Sequence, residues 1–437
     1  MQSIQEIGNA LRNQTLESDR AFHSWYQFVL GYPPHLVRYY IYKFGITNAH
    51  LVLDPFCGTG TTNVECKKLG IANVGLEANS MAFLASKVKT DWDISTSNIQ
   101  EAFRDVIATA VTTFERNGFS ENVSLFIAPK TGRLIHSIPQ LTEDEIKILP
   151  KDFISPLPLK KVLILRESIR RVDDERIRNL FLLALASLTV NYASNVAFGP
   201  EIYTTKLKQT VDVLDRFYQL VDRMICDLEA KPLDDGLTKI VQGDARRMDE
   251  ILRNEERQID FVVTSPPYPN EKDYTRTTRL ESIILGLLTN KKELRDLKEH
   301  LLRSNSRNIF VTDTDAEYIR DFDSVNRIAD AVESKRLALK KTSGFEKMYQ
   351  KIVRHYFGGM YRHFASLKSL LKPNARLAYV VGDQMSYFRT HIPTAKLLAE
   401  IVEQLGYHVE EIELWRTRLA TATKTQIDEN ILILRNK

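Results

Sequence analysis

Cysteine is scarce in this 437-residue chain, with Cys57, Cys66 and Cys226 as its whole complement. Without a CxxC pair they offer neither a disulfide framework nor the ligand spacing of a zinc site. Free thiols are what an intracellular protein is expected to carry. No apolar run is long enough to span a bilayer. No basic stretch followed by an apolar one marks a secretory signal. The expectation is therefore a cytoplasmic protein with no membrane partner. Repeats and low-complexity tracts are missing too, and neither sign of charge dominates. With 60 Lys and Arg against 56 Asp and Glu, the net charge is +4, which permits a nucleic-acid partner without demanding one. A chain that is 43% hydrophobic and 27% charged has an ordinary soluble composition, and its length suits one elaborated domain or two to three smaller ones.

Against that plain background two short stretches stand out. Leu51-Val52-Leu53 reads as a buried strand. It runs into Asp54-Pro55-Phe56-Cys57-Gly58-Thr59-Gly60-Thr61-Thr62, and a helix is expected from Asn63 to Leu69. Strand, glycine-rich turn and helix N-terminus together form a nucleotide-cradling geometry, because glycine lets the backbone approach a ligand and the first helical N–H groups are free. The third glycine of the dinucleotide fingerprint and the GK[ST] of a phosphate loop are both missing, which argues against those two classes. Ile71–Glu77 reads as a second strand that ends in a carboxylate. Glu77 lies 17 residues past Gly60, near where an acidic residue of a doubly wound sheet meets a ribose diol; its plainer role is a solvated cap.

The second stretch is Thr264-Ser265-Pro266-Pro267-Tyr268. It follows the apolar run Ile259–Val263, and the prolines end that strand because neither can donate to a ladder. A rigid turn with a small hydroxyl and an exposed aromatic at a strand's carboxyl end is a ligand site in an open α/β sheet, or else an ordinary strand-ending turn. Asp244, after the strand Leu237–Gln242, is a further strand-end carboxylate, placed to accept from an adenine amino group or to cap the next helix.

Organisation follows from these anchors. Residues 1–94 form the first half of the core, 95–235 a helical insertion, and 236–437 the second half with a charged insertion at 290–345. Residues 1–20 are expected to be helical, 124–135 to contain a strand, and 136–160 to be a loop. Helices are expected over Glu175–Asn195 and Thr205–Ala230. The basic residues Arg166, Arg170, Arg171, Arg176 and Arg178, and those of 290–345, suit either nucleic-acid phosphates or a solvated face. The closing strands Val409–Leu414 and Ile431–Leu434 suit an antiparallel hairpin. The expected fold is an α/β, doubly wound, mostly parallel sheet.

Taken together, Asp54–Thr62 and Thr264–Tyr268 resemble the cofactor loop (DPFxGxGTT) and the catalytic loop ([S/D/N]-P-P-[Y/F/W]) of the S-adenosylmethionine-dependent DNA amino-methyltransferases, which modify cytosine N4 or adenine N6. The resemblance implies a seven-stranded Rossmann-like core, S-adenosyl-L-methionine as cofactor and double-stranded DNA as substrate. A cognate restriction endonuclease or defence-system subunits are the partners it suggests. It places Asp54, Pro55, Phe56, Cys57, Gly58, Gly60, Thr61, Thr62, Glu77, Asp244 and Thr264 at the cofactor. The Ser24–Val37 stretch, with Tyr26, is similar to the family's first helix region and is implied to help bind the methionine part. Ser265, Pro266, Pro267 and Tyr268 are implied to be catalytic. Cytosine C5 methylation needs a cysteine nucleophile after proline, and no Pro-Cys occurs here. The resemblance implies that serine in the first place of the catalytic loop favours cytosine N4, with adenine N6 the alternative. An RNA amino-methyltransferase and a non-enzymatic nucleic-acid-binding module are the more distant readings. In two respects the chain departs from common patterns: its cofactor loop precedes its catalytic loop, and a long insertion separates the second and third strands.

Overall fold

The structure, a computed structural model, describes residues 14–27, 31–119, 121, 132–199, 202–233, 236–270, 272–419 and 425–437. The first half of the core comprises α1 (Pro34–Phe44), β1 (Leu51–Asp54), α2 (Thr61–Lys68), β2 (Ala72–Glu77) and α3 (Ser80–Lys89). The insertion holds α4 (Thr96–Arg116), α5 (Glu143–Ile148), α6 (Pro156–Ile169), α7 (Glu175–Leu188), the strands β3 (Val196–Phe198) and β4 (Ile202–Thr204), and α8 (Val213–Glu229). The chain then returns to the core with β5 (Thr238–Gln242), α9 (Met248–Ile251) and β6 (Ile259–Thr264). Four helices follow: α10 (Tyr274–Thr277), α11 (Arg279–Leu285), α12 (Lys291–Glu299) and α13 (Asp323–Ala338). Last come α14 (Tyr349–Lys368), β7 (Leu371–Gly382), α15 (Thr394–Gln404), β8 (Tyr407–Leu419) and β9 (Gln426–Asn436).

The main sheet has the order β5-β2-β1-β6-β7-β9-β8. Strands β5, β2, β1, β6 and β7 are parallel, and β9 runs antiparallel to both β7 and β8. This is the expected open, mostly parallel α/β sheet with an antiparallel end. The chain lays down strands outward from β1 in one direction, then outward from β6 in the other, with β9 returning to lie between β7 and β8. The reversal falls between β1 and β6, and such a switch point opens a crevice at the carboxyl ends of the strands. Both stretches singled out in the sequence emerge there.

Residues alternate across the sheet with the two-residue period of a strand. Val52, Val263, Ala378, Val380, Ile431 and Ile433 pack with α1. Their neighbours Leu53, Val262, Leu377, Tyr379, Leu432 and Leu434 face the opposite side, against α14 and α15. Both faces are covered, as a largely parallel sheet requires. A third apolar core joins α4, α6, α7 and α8 of the insertion to Phe22, Trp25, Tyr26, α3 and α11. The insertion thus shares its core with elements on both sides of it in sequence. No helix among the described residues is long and apolar enough to cross a membrane.

Several expectations need correction. Residues 136–160 contain α5 and the start of α6 rather than a loop alone. Thr142 and Glu145 form a reciprocal capping box that starts α5. Pro156 occupies the first turn of α6, where a missing N–H costs nothing. The expected helix Glu175–Asn195 ends its α-helical part at Leu188 and continues as a short π-helix to Ala193. The helix expected from Thr205 begins at Val213. Strands β8 and β9 extend to 13 and 11 residues, because polar residues outside their apolar centres still pair. Of the helix expected over 1–20, residues up to 13 lie outside the described ones, and Glu17–Asp19 forms a single 3-10 turn. The strand expected within 124–135 lies outside the described residues as far as 131.

Candidate active site

A cavity of about 270 Å³ opens at the switch point. Its walls come from the β1–α2 loop, the carboxyl ends of β2 and β5, the β6–α10 loop, the β8–β9 hairpin and His300–Leu302. The two sequence stretches, some two hundred residues apart, meet because β1 and β6 pair in register, Val52 with Phe261 and Leu53 with Val262.

Asp54 ties them together. Its fully buried carboxylate accepts from the Thr264 hydroxyl at 2.6 Å and from the Tyr32 hydroxyl at 2.7 Å. The Phe56 N–H donates to it at 3.1 Å. Burial pushes the Asp54 carboxyl above its ordinary range, opposed by the Thr264 and Tyr32 hydroxyls. Thr62 adds a second stitch, its hydroxyl donating to the Val263 carbonyl at 3.1 Å. Asp54, Gly60, Thr62 and Thr264 stand behind the cavity wall, whereas Pro55, Phe56, Cys57, Gly58 and Thr61 line it.

Gly60 takes a left-handed conformation, φ +84°, immediately before α2. A β-carbon there would lie 3.1 Å from that of Ser86, so both conformation and space call for glycine. The turn leaves the first N–H groups of α2 without helical partners beside the cavity. Cys57 is buried, and burial, with Glu77 and Asp54 nearby, pushes its thiol well above the usual range. It is therefore held as an unreactive thiol.

Glu77 ends β2 on the cavity wall. One carboxylate oxygen accepts from the Gly58 N–H at 2.8 Å and the other from the Asn79 N–H at 2.7 Å. Burial pushes its carboxyl up to about 7, against the pull of those two donors. Asp244 also reaches the cavity, but both its oxygens are engaged by the Arg246 guanidinium at 2.6 to 3.1 Å. Arg246 donates in turn to Asp315 at 2.6 Å and to the Glu299 carbonyl at 2.7 Å.

On the far wall the Ser265 hydroxyl donates to the Val380 carbonyl at 3.3 Å. Tyr268 was expected to be an exposed aromatic; it is half-buried instead. Its backbone N–H donates to the Tyr274 hydroxyl at 3.2 Å, and its own hydroxyl donates to Glu429 at 3.1 Å. Burial, with Glu429 beside it, pushes the phenol well above its usual range, so it stays a donor.

Tyr26 neither lines the cavity nor stands directly behind its wall. It is buried in the insertion's core, donating to Glu281 at 2.5 Å, with the Lys89 ammonium on its carbonyl. Tyr32, which the sequence reading passed over, stands at the cavity instead. Its place in Gly31-Tyr32-Pro33-Pro34, the turn just before α1, was the available signal. Trp415, Arg416 and Glu429 on the terminal hairpin also line the cavity and carry no motif by which sequence alone would mark them.

Most residues of the two basic stretches are exposed, as a solvated face requires, but two are internal. Arg166 is buried and donates to the Ile284 carbonyl. Arg303 is buried too, bonded to the Leu301 carbonyl and paired with Asp313 at 2.6 Å. Leu301 and its neighbours His300 and Leu302 line the cavity, so the charged insertion is braced against the site.

Comparison with known proteins bears on this geometry. A family model described as DNA methylase, of the N6/N4 type, matches residues 12–87, which take in α1, the cofactor-type loop and Glu77. The chain is 22% identical to the type II methyltransferase M.BsoBI of Geobacillus stearothermophilus, over 97% of this chain and 86% of that protein. The chain is thus similar to the amino-methyltransferases of the N4/N6 family. It is also 22% identical to the type II methyltransferase M.AvaI of a Nostoc species, over 89% of this chain and 80% of that one. Among solved structures, the rRNA methyltransferase aviRa from Streptomyces viridochromogenes aligns over 97% of this chain and 94% of that chain with 9% identity and a TM-score of 0.30; the fold assignment rests on the sheet itself. That similarity implies S-adenosylmethionine as the methyl donor and DNA as the substrate. The cavity fits that cofactor in its chemistry, with a half-buried carboxylate able to accept from hydroxyl donors, free helical N–H groups and a glycine turn that lets the backbone come close.

Proposed function

We propose that this methyltransferase modifies the exocyclic N4 of a cytosine swung out of duplex DNA, as the modification half of a restriction–modification system. The observation that carries this reading is the single cavity lined by both the Pro55–Thr61 loop and Ser265-Pro266-Pro267-Tyr268, joined through Asp54 and Thr264. The first loop, with Glu77 at the ribose, would hold the cofactor. The second would hold the acceptor.

A cytosine amino group is a poor nucleophile because its lone pair is delocalised into the ring. The bound cofactor supplies an electrophilic methyl group on a sulfonium. Ser265 Oγ and the Pro266 carbonyl would accept hydrogen bonds from the two amino hydrogens, turning the nitrogen lone pair out of the ring plane. Ser265 gives its hydrogen to Val380, so its oxygen can serve as an acceptor. Pro266 and Pro267 fix the turn, so the acceptors are oriented in advance of the reaction. The Tyr268 ring would stack on the displaced base. One hydrogen leaves the nitrogen as a proton once the methyl group has moved, so no base of shifted pKa is needed.

The segment 290–345 is proposed to read the DNA, because His300–Leu302 border the same cavity. The type II methyltransferases among the relatives support the restriction–modification setting and a cognate endonuclease as partner. The test is transfer of a labelled methyl group to mixed-sequence duplex DNA, followed by nucleoside analysis. N4-methylcytosine is the expected product. N6-methyladenine would overturn the base assignment, and the lack of either product would overturn the reading.

A further inference from the structure

The strand register places three residues in one row at the carboxyl end of the sheet. Gly382 of β7 lies opposite Glu429 of β9, and Glu429 lies opposite Arg416 of β8. Residues paired in register point their side chains to the same face. Glu429 and Arg416 use that face to form an ion pair with each other. Gly382 leaves its place in the row empty, and the Tyr268 ring fills it: a β-carbon on Gly382 would lie 2.9 Å from Tyr268 Cε2. The ring is thereby set beside Glu429, which takes its hydroxyl hydrogen at 3.1 Å. Glu429 is buried, so this bond to a charged acceptor is shielded from water and stronger than a neutral one.

We propose that Glu429 is a positioning residue that holds the Tyr268 ring in the Gly382 slot, so that the β8–β9 hairpin sets the surface on which the target base is received. The proposal rests on the reading of Tyr268 as the base-stacking residue. The physical reason is pre-organisation. A tyrosine free to turn about its side-chain bonds would have to be ordered each time a base arrives, and that cost would fall on the reactive complex. Arg416 fixes Glu429, Glu429 fixes the phenol, and Gly382 provides the room.

The test is a double-mutant cycle on single-turnover methyl transfer with cofactor and DNA saturating. Glu429→Ala and Tyr268→Phe each remove the same bond, and each is expected to slow transfer by on the order of tenfold, the worth of one hydrogen bond to a charged group. The double variant should be no slower than the slower single one. Glu429→Gln keeps an acceptor oxygen and should recover most of the rate. Singles whose effects multiply, or that leave the rate unchanged, would overturn the proposal. A second readout needs no chemistry: 3-fluorotyrosine at position 268 should give one narrow fluorine resonance that shifts and broadens in Glu429→Ala and in Gly382→Ala. An unmoved resonance in both would overturn the positioning role. A protein that transferred no methyl group to DNA would sink the proposed function and leave this resonance test standing.

Discussion

The Glu77 carboxyl carries the sharpest pH prediction. Burial holds it at about 7, and the proposed contact with two ribose hydroxyls requires an ionised acceptor. At pH 6, one unit below that value, roughly one molecule in ten is ionised, so affinity for the adenosine end of the cofactor should be about tenfold weaker than on the plateau above pH 8, or about 1.4 kcal/mol. Stability of the ligand-free protein should move the other way. The folded value of about 7 lies above the ordinary 4.5, so between those limits the folded protein holds a proton that the unfolded chain has given up. The contribution is therefore complete below pH 4.5 and lost as pH rises through 7, with an upper bound of about 3 kcal/mol. Glu281, which burial also pushes up to about 7, acts in the same sense. The difference between wild type and Glu77→Gln isolates the Glu77 share. Calorimetry with 5′-deoxy-5′-methylthioadenosine is the assay, because this probe lacks the titrating amino-acid end. Glu77→Gln should bind weakly at every pH, since its amide NH2 would face the Gly58 or Asn79 N–H where a carboxylate oxygen now accepts. A wild-type affinity flat from pH 5.5 to 8.5 would refute the ribose role.

Three further outcomes follow from the same geometry. Thr264→Val removes a donor from buried Asp54 and should cost about 1–3 kcal/mol in urea unfolding; an unchanged midpoint would show that the stitch between the loops contributes nothing. Tyr268→Ala should depress methyl transfer while cofactor affinity measured by calorimetry stays at the wild-type value, and equal turnover would remove the ring from base capture. Arg303→Met leaves Asp313 buried without its ion-pair partner and should lower stability by about 3–5 kcal/mol. It should also weaken DNA binding, read by fluorescence anisotropy, more than cofactor binding, and equal losses would detach 290–345 from the DNA.

Those predictions rest on features that differ in how far the chain alone discloses them. The glycine turn, the two prolines and the strand-end carboxylate are local, and each dictates backbone geometry within a few residues. That is why the switch-point crevice could be anticipated from Asp54–Thr62, Glu77 and Thr264–Tyr268. The choice between Tyr26 and Tyr32 could not be made locally. Both are aromatics ahead of α1, and what separates them is Glu281, distant in sequence, which captures the Tyr26 hydroxyl. Arg166 and Arg303 looked like solvated charge because their acceptors are carbonyl oxygens and a carboxylate that only the folded chain brings near. The capping box at Thr142 and Glu145 was legible, and the surrounding prolines and charges masked it.

Why the core strands tolerate two long interruptions around so small a site has a physical answer in where those segments attach. The first insertion builds its core on α3 and α11, and α11 follows the catalytic-type loop by way of α10. The Tyr26–Glu281 bond joins that core to the chain ahead of α1. The second insertion is fastened by the Arg246 bridge from Asp244 to Asp315, and Arg303 ties its own turns together. The second attachment begins at Asp244, at the carboxyl end of β5 and beside the cavity, and the first is made through helices rather than through the strand pairing itself. Added chain there extends the walls of the crevice without disturbing the β1–β6 register on which the meeting of the two loops depends. A buried ion pair contributes little net stability over an apolar replacement, but a broken one is costly. The Arg246–Asp244 pairing therefore restricts where the second insertion can sit relative to β5. Segments placed in this way can vary while Asp54, Thr264 and Ser265 keep their positions.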